Sequence, residues 1–281
     1  MNWRRLLTWH AIAALTFGLL YWQVLRKLVY DWSHDENYSH GFLIVPIAFY
    51  FAWERRQALK DAVSKPSMLG LAVIIGSLMV LVAGKLGAEL FLTRISMIGM
   101  AVGVALFVFG WDHLRILFFP IAFLLLMIPL PSLVFNQIAF PLQLLASRFG
   151  EWTLQLLDIP VLREGNVIIL ANTRLEVAEA CSGIRSLISL LTLGIVLGYF
   201  TDPRPSVRWL IALATVPVAI AANGVRVAGT GVAAHYVGPE AATGFLHTFS
   251  GWLMFVLASA LLIAIQRGTA WVFPPPAETL G

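Results

Sequence analysis

Long apolar runs separated by short polar breaks dominate this chain, and most have the length of a bilayer crossing. Eight can be traced, at approximately 6–25, 41–54, 68–84, 89–110, 114–131, 183–200, 207–228 and 245–265. A helix rises about 1.5 Å per residue, so about 20 apolar residues cross a hydrocarbon core of about 30 Å. The pattern predicts an all-α polytopic membrane protein with about eight transmembrane helices. The second run is short. Tyr38 and Ser39 would have to extend it, or neighbouring helices would have to shelter it.

The stretch at about 132–181, before the sixth run, follows a different rhythm. From Val134 to Leu157 it sets Asn136, Gln137, Gln143, Arg148, Glu151 and Gln155 among apolar residues. That mixture predicts an amphipathic helix lying in the membrane interface, with Trp152 as its anchor. Two β-prone runs follow, Asn166-Val-Ile-Ile-Leu and Arg174-Leu-Glu-Val-Ala, on either side of Ala171-Asn-Thr173. They predict a short hairpin, which must sit in water or against protein because lipid cannot satisfy its edges. The hairpin leads directly towards Cys181.

Composition excludes a soluble domain. The chain is 59% hydrophobic and 12% charged, against roughly 25% charged in soluble proteins. A pI near 9.5 is no sign of nucleic acid, since most of the Lys and Arg lies in short loops. Arg4 and Arg5, the group Arg55, Arg56, Lys60 and Lys65, then Arg115, Arg204, Arg208 and Arg267 fall on one side of the expected spans. The positive-inside rule then puts both termini in the cytoplasm and the 132–181 loop on the outer side. No small-x-small site follows the first run, so it reads as an uncleaved anchor. The expected organisation is one transmembrane domain, 1–265, with a short cytoplasmic tail, 266–281.

Candidate chemistry centres on Cys181, the only cysteine. It can form no internal disulfide and belongs to no CxxC. It precedes an apolar run, at the mouth of a helix with Arg185 one turn away, and both features favour a thiolate. The seventh run carries Asn223-Gly-Val-Arg226, and the eighth opens with His247 near its outer end. An arginine near a bilayer interior is costly and marks a functional or structural ion site. Counting crossings brings Cys181, Arg226 and His247 to the same outer boundary. There His247 could take the thiol proton and return it to a leaving amine, while Arg226 steadies an oxyanion or a carboxylate. Each also has a plainer role, as a packed thiol, a hydrogen-bonded histidine and a snorkelling arginine. Gly224, Gly229 and Gly231 would let the backbone beside Arg226 loosen or pack closely. Asp35, Glu36, His40, Glu176 and Glu179 are further outer-side polar groups. No HExxH or similar spacing occurs, so neither metal nor cofactor is expected.

The segments Ala180-Cys-Ser-Gly-Ile-Arg185-Ser, Asn223-Gly-Val-Arg226 and His247, in that order, resemble the exosortase/archaeosortase family of membrane transpeptidases. Glu36-Asn-Tyr-Ser-His40-Gly-Phe-Leu and Trp53-Glu-Arg-Arg extend the likeness to bacterial exosortases, so that it covers about 31–265. The resemblance implies a cysteine transpeptidase with Cys181 as nucleophile and Arg226 and His247 as catalytic partners. Arg185, Glu179, Asn223 and His40 are candidates for substrate-binding or supporting roles. It further implies exported protein partners that carry a C-terminal sorting tail (a PEP-like motif, a transmembrane helix and a basic cluster), in systems linked to exopolysaccharide. Membrane lipid and a separate accessory protein are the other expected partners. The rival readings are a non-catalytic scaffold or transporter with Arg226 and His247 lining a polar pathway, and a serine protease using Ser182 or Ser250. The clustering of polar groups on one side and the absence of a GxSxG weigh against these two.

Overall fold

The computed structural model describes residues 3–171, 173–177, 183–238 and 244–272, with backbone alone at 3–11, 13, 14, 244–248 and 270. The chain divides into two compact units, Met1–Pro131 and Ser132–Gly281.

The first unit contains α1 (Trp3–His34), α2 (Gly41–Glu54), α3 (Arg56–Asp61), α4 (Met68–Leu86), α5 (Leu90–Val108) and α6 (Trp111–Phe123), which ends in a 3₁₀ turn at Leu124–Met127. α4 and α5 form a tight helical hairpin. α1 is tied to α5 by the Tyr21 hydroxyl on the Ser96 carbonyl, 3.1 Å, and by an ion pair between Asp31 and the buried Arg94. Lys27 joins the same carboxylate at 2.8 Å.

The segment after α6 cannot continue as a regular helix, and its carbonyls and amides are met from elsewhere in the unit. Trp32 Nε1 donates to the Met127 carbonyl at 2.9 Å, and His40 Nε2 to the Leu126 carbonyl at 3.2 Å. The Leu130 amide donates to the Tyr38 hydroxyl at 3.2 Å. Burial holds the His40 imidazole below its ordinary pKa, because the charged ring would lose its hydration.

The second unit contains α7 (Ser132–Leu156), strands β1 (Val161–Glu164), β2 (Val167–Leu170) and β3 (Arg174–Glu176), and helices α8 (Ile184–Thr201), α9 (Pro205–Tyr236) and α10 (Gly244–Val272). The expected hairpin is β2–β3, antiparallel with Val167 opposite Glu176 and Ile169 opposite Arg174. A third strand extends it, with β1 pairing Val161 to Leu170 and Glu164 to Val167. That strand escaped the apolar pattern because half of Val161-Leu-Arg-Glu164 is charged. Its signal is the two-residue turn Gly165-Asn166, with Gly165 at φ +63°, which suits a tight hairpin.

The inner face of the sheet, Ile168, Leu170 and Val177, packs with Ala146 and Leu154 of α7 and with Val227 and Ala234 of α9. α7 is the helix expected in the interface, but it does not turn all its polar residues outwards. Gln143 and Ser147 are buried while Leu133 and Phe140 are exposed. The reason is local pairing: Ser147 Oγ donates to the Gly165 carbonyl at 3.0 Å. Asn166 Nδ2 reaches Gln143 Oε1 at 3.5 Å and the Val177 carbonyl at 3.2 Å. The sheet is thereby held to the helix that precedes it.

Among the described residues, five helices are long and apolar enough to cross a membrane: α4, α5, α8, α9 and the Phe249–Thr269 part of α10. The number is six if Trp111–Met127 and Ser132–Leu156 together make one interrupted span. Eight spans were expected. The run at 6–25 lies in α1, but part of it, at 6–11, 13 and 14, falls outside the residues described with side chains. The run at 41–54 is the 14-residue α2, only about 21 Å long.

Candidate active site

The site is built from the start of α8, the last third of α9 and the first turns of α10. Gly183 precedes α8 in the left-handed region, φ +78°, where a side chain costs roughly 1–2 kcal/mol. A β-carbon on Gly183 would lie 2.8 Å from Asn223 Cγ. The start of α8 therefore rests directly on the buried Asn223. Leu142, Ala146, Leu187, Ala219 and Ile220 complete the wall of the small crevice between them.

Arg226 is three residues after Asn223, so both occupy one face of α9. Its Nε donates to Ser250 Oγ of α10 at 3.4 Å. A β-carbon on Gly251 would be 3.1 Å from Arg226 Nη2, so the guanidinium lies close over the α10 backbone. Position 247 in α10 is three residues before Ser250 and four before Gly251, one turn along the same helical face. Thus Gly183, Asn223, Arg226, Ser250 and position 247 form a connected path over three helices.

α9 carries the chemistry further along its length than the apolar run at 207–228 suggested. It continues through Gly229 and Gly231 to Tyr236, where Val227 and Ala234 bury themselves against the sheet and α7. Two of the three glycines beside Arg226 permit close packing: a β-carbon on Gly224 would lie 2.9 Å from the Phe149 ring and one on Gly231 2.9 Å from Leu154, while one on Gly229 would meet nothing within 4 Å. From Pro205 to Arg226 the axial rise is about 32 Å, comparable with the hydrocarbon core. Helix length thus suits a boundary location for the arginine.

Of the other sequence candidates, Arg185 is the second residue of α8 and half-buried. Glu176 ends β3 and is exposed. His40 belongs to the first unit, on the Leu126 carbonyl. Asp35 also lies there and accepts the Asn37 amide at 2.9 Å. Cys181, Ser182 and Glu179 lie outside the described residues, as does the side chain of His247. Among the described residues no three His, Cys, Asp or Glu side chains stand close enough to hold a metal ion. Ser250, as a partner of Arg226, was not foreseen in that role. Its spacing from His247 was the available signal.

A family model described as transmembrane exosortase matches residues 32–264, most of the chain. The chain belongs to the transmembrane exosortase family. Membership brings a membrane sorting transpeptidase role in general terms, and the matched region contains every element of the site just described. No curated protein and no solved structure matches. The exosortase match also agrees with the multi-pass, largely helical architecture.

Proposed function

We propose that the chain is a cysteine transpeptidase of the bacterial inner membrane that processes the sorting tail of exported proteins, with its site on the periplasmic side and both termini in the cytoplasm. The observation that supports it most is the path from Gly183 through Asn223 and Arg226 to Ser250. Cys181 is two residues before Gly183, so covalent connection alone keeps their Cα atoms within about 7 Å. His247 is one turn before Ser250. A nucleophile, a base and a cation are then available at one end of α8, α9 and α10.

In this reading the Cys181 thiol gives its proton to His247, and the sulfur attacks the scissile carbonyl carbon. Arg226 stabilises the oxyanion that develops. The C–N bond breaks as His247 protonates the departing amine, leaving a thioester on Cys181. An acceptor amine then attacks the thioester carbonyl as His247 takes its proton, and the new amide forms as the C–S bond breaks and the Cys181 sulfur recovers that proton. Water in place of the amine would give hydrolysis. The substrate's own transmembrane helix would place its motif beside the site, entering from the bilayer. Glu179 and Arg185 flank Cys181 in the chain and would bind or orient the substrate, whereas Asn223 seats the start of α8.

The experiment is to co-express the chain with a tailed substrate and follow the substrate's size on immunoblots. Cys181→Ala, Arg226→Gln and His247→Ala should each lower processing by roughly 10³-fold or more, with the variants retained in the membrane. Processing by Cys181→Ala at the wild-type rate would overturn the assignment of the nucleophile.

A further inference from the structure

A cleft with charged residues in its wall lies within the first unit, where α1 passes the turn between α4 and α5. It has a volume of about 240 Å³, and its walls include Gln23, Lys27, Lys85, Glu89 and Arg94. A neighbouring depression shares Gln23 and Lys27 and adds Arg26 and Tyr30. α4 and α5 are 19 residues each, about 28 Å long and close to one hydrocarbon thickness. Their connecting turn therefore sits at the edge of the apolar layer, at the depth of lipid phosphates.

The two carboxylates around the cleft already have partners. Asp31 accepts from Lys27 at 2.8 Å and from Arg94, and Glu89 caps α5 by accepting the Leu92 amide at 2.8 Å. The cations are not balanced in the same way. Among the described residues, the side chains of Arg26 and Lys85 have neither a hydrogen-bond nor an ion-pair partner. Arg94 is 3% exposed and spends only Nη2 on Asp31, although a guanidinium has five N–H donors. A buried arginine with unused donors, lining a cleft with Lys27 and Lys85, is chemistry matched to a tetrahedral oxyanion.

We infer that this cleft binds a phosphate ester, with Arg94 and Lys85 on its oxygens and Lys27 and Arg26 at its rim. The group is either a phospholipid headgroup or a small soluble phosphate, since both present the same oxygens. The inference is independent of the chemistry proposed for Cys181.

The test uses the full chain, delipidated in uncharged detergent and then given phosphatidylglycerol, diacylglycerol or inorganic phosphate at constant ionic strength. Thermal unfolding and native mass spectrometry report binding. The comparison is between the wild type, the double variant Arg26→Gln/Lys85→Gln, and Lys60→Gln as an exposed control cation distant in sequence. Wild type and control should retain phosphatidylglycerol and unfold at higher temperature with it, whereas diacylglycerol should have no effect. The double variant should bind phosphatidylglycerol roughly tenfold more weakly. Stabilisation by phosphatidylglycerol without any by inorganic phosphate identifies a lipid headgroup; stabilisation by inorganic phosphate alone identifies a soluble ligand. Equal binding by the double variant, or equal effects of phosphatidylglycerol and diacylglycerol with none from phosphate, would overturn the inference.

Discussion

Replacing Gly183 by alanine tests the contact on which the site is built. Two penalties follow from the geometry. The backbone at φ +78° costs roughly 1–2 kcal/mol for a residue with a β-carbon. The new methyl group would also lie 2.8 Å from Asn223 Cγ, an overlap that typically costs about 1–3 kcal/mol as the neighbours shift. Asn223 is buried, so the start of α8 should be pushed away from α9. A displacement of about 1 Å at a catalytic group can lower a rate by about 10²-fold. Gly183→Ala should therefore process a tailed substrate roughly a hundredfold more slowly while remaining folded in the membrane. The double variant Gly183→Ala/Asn223→Gly removes the Asn223 Cγ and Cβ that would lie 2.8 and 2.9 Å from the new methyl group but keeps the backbone strain at position 183, so its thermal stability should fall by less than the sum of the two single losses. Normal processing by Gly183→Ala, or strict additivity of the stability changes, would refute the close seating of α8 on Asn223.

Three further outcomes follow from other contacts. Asp31→Asn leaves Arg94, 3% exposed, without its carboxylate, and should destabilise the first unit by about 3–5 kcal/mol, read as loss of folded protein in thermal unfolding; an unchanged midpoint would count against the buried ion pair. The lowered pKa of His40 means that the unfolded chain takes up this proton first as pH falls below its ordinary value of 6.5. The His40 contribution should be complete above that pH and decline below it, and His40→Gln should flatten this part of the stability profile. Ser250→Ala removes the long hydrogen bond from Arg226, 3.4 Å, which by itself contributes less than about 1 kcal/mol. Processing should nevertheless slow several-fold if that serine orients the guanidinium, and an unchanged rate would make the contact incidental.

The helical architecture and the order of the chemistry-bearing segments were legible because apolar run length and helical spacing are local properties. Asn223 and Arg226 could be assigned to one helical face from their spacing alone. The reach of α9 past Gly229 and Gly231 was not legible, since intrinsic propensity marks glycine as a breaker, whereas at Gly231 close packing against Leu154 favours it. β1 was missed for the opposite reason: its pairing depends on a partner strand, not on its own composition. The inward turn of Gln143 and Ser147 required knowledge of where Gly165 and Asn166 lie. The bond from His40 to the Leu126 carbonyl joins positions 86 residues apart, which no local pattern predicts.

The far end of the α8–α9 pair governs what happens near Asn223. There Arg204 and Asp202 are bonded at 2.6 Å, Arg208 Nε donates to the Asp202 carbonyl at 2.6 Å, and Gly194 meets Thr215 so closely that a β-carbon would approach to 2.4 Å. These contacts act like teeth in a ratchet. A slip of α9 by one residue would carry Asn223 about 1.5 Å along the axis and swing it about 100° around it, away from Gly183. Alignment at one membrane boundary is thus enforced by an ionic latch and a notch nearer the other.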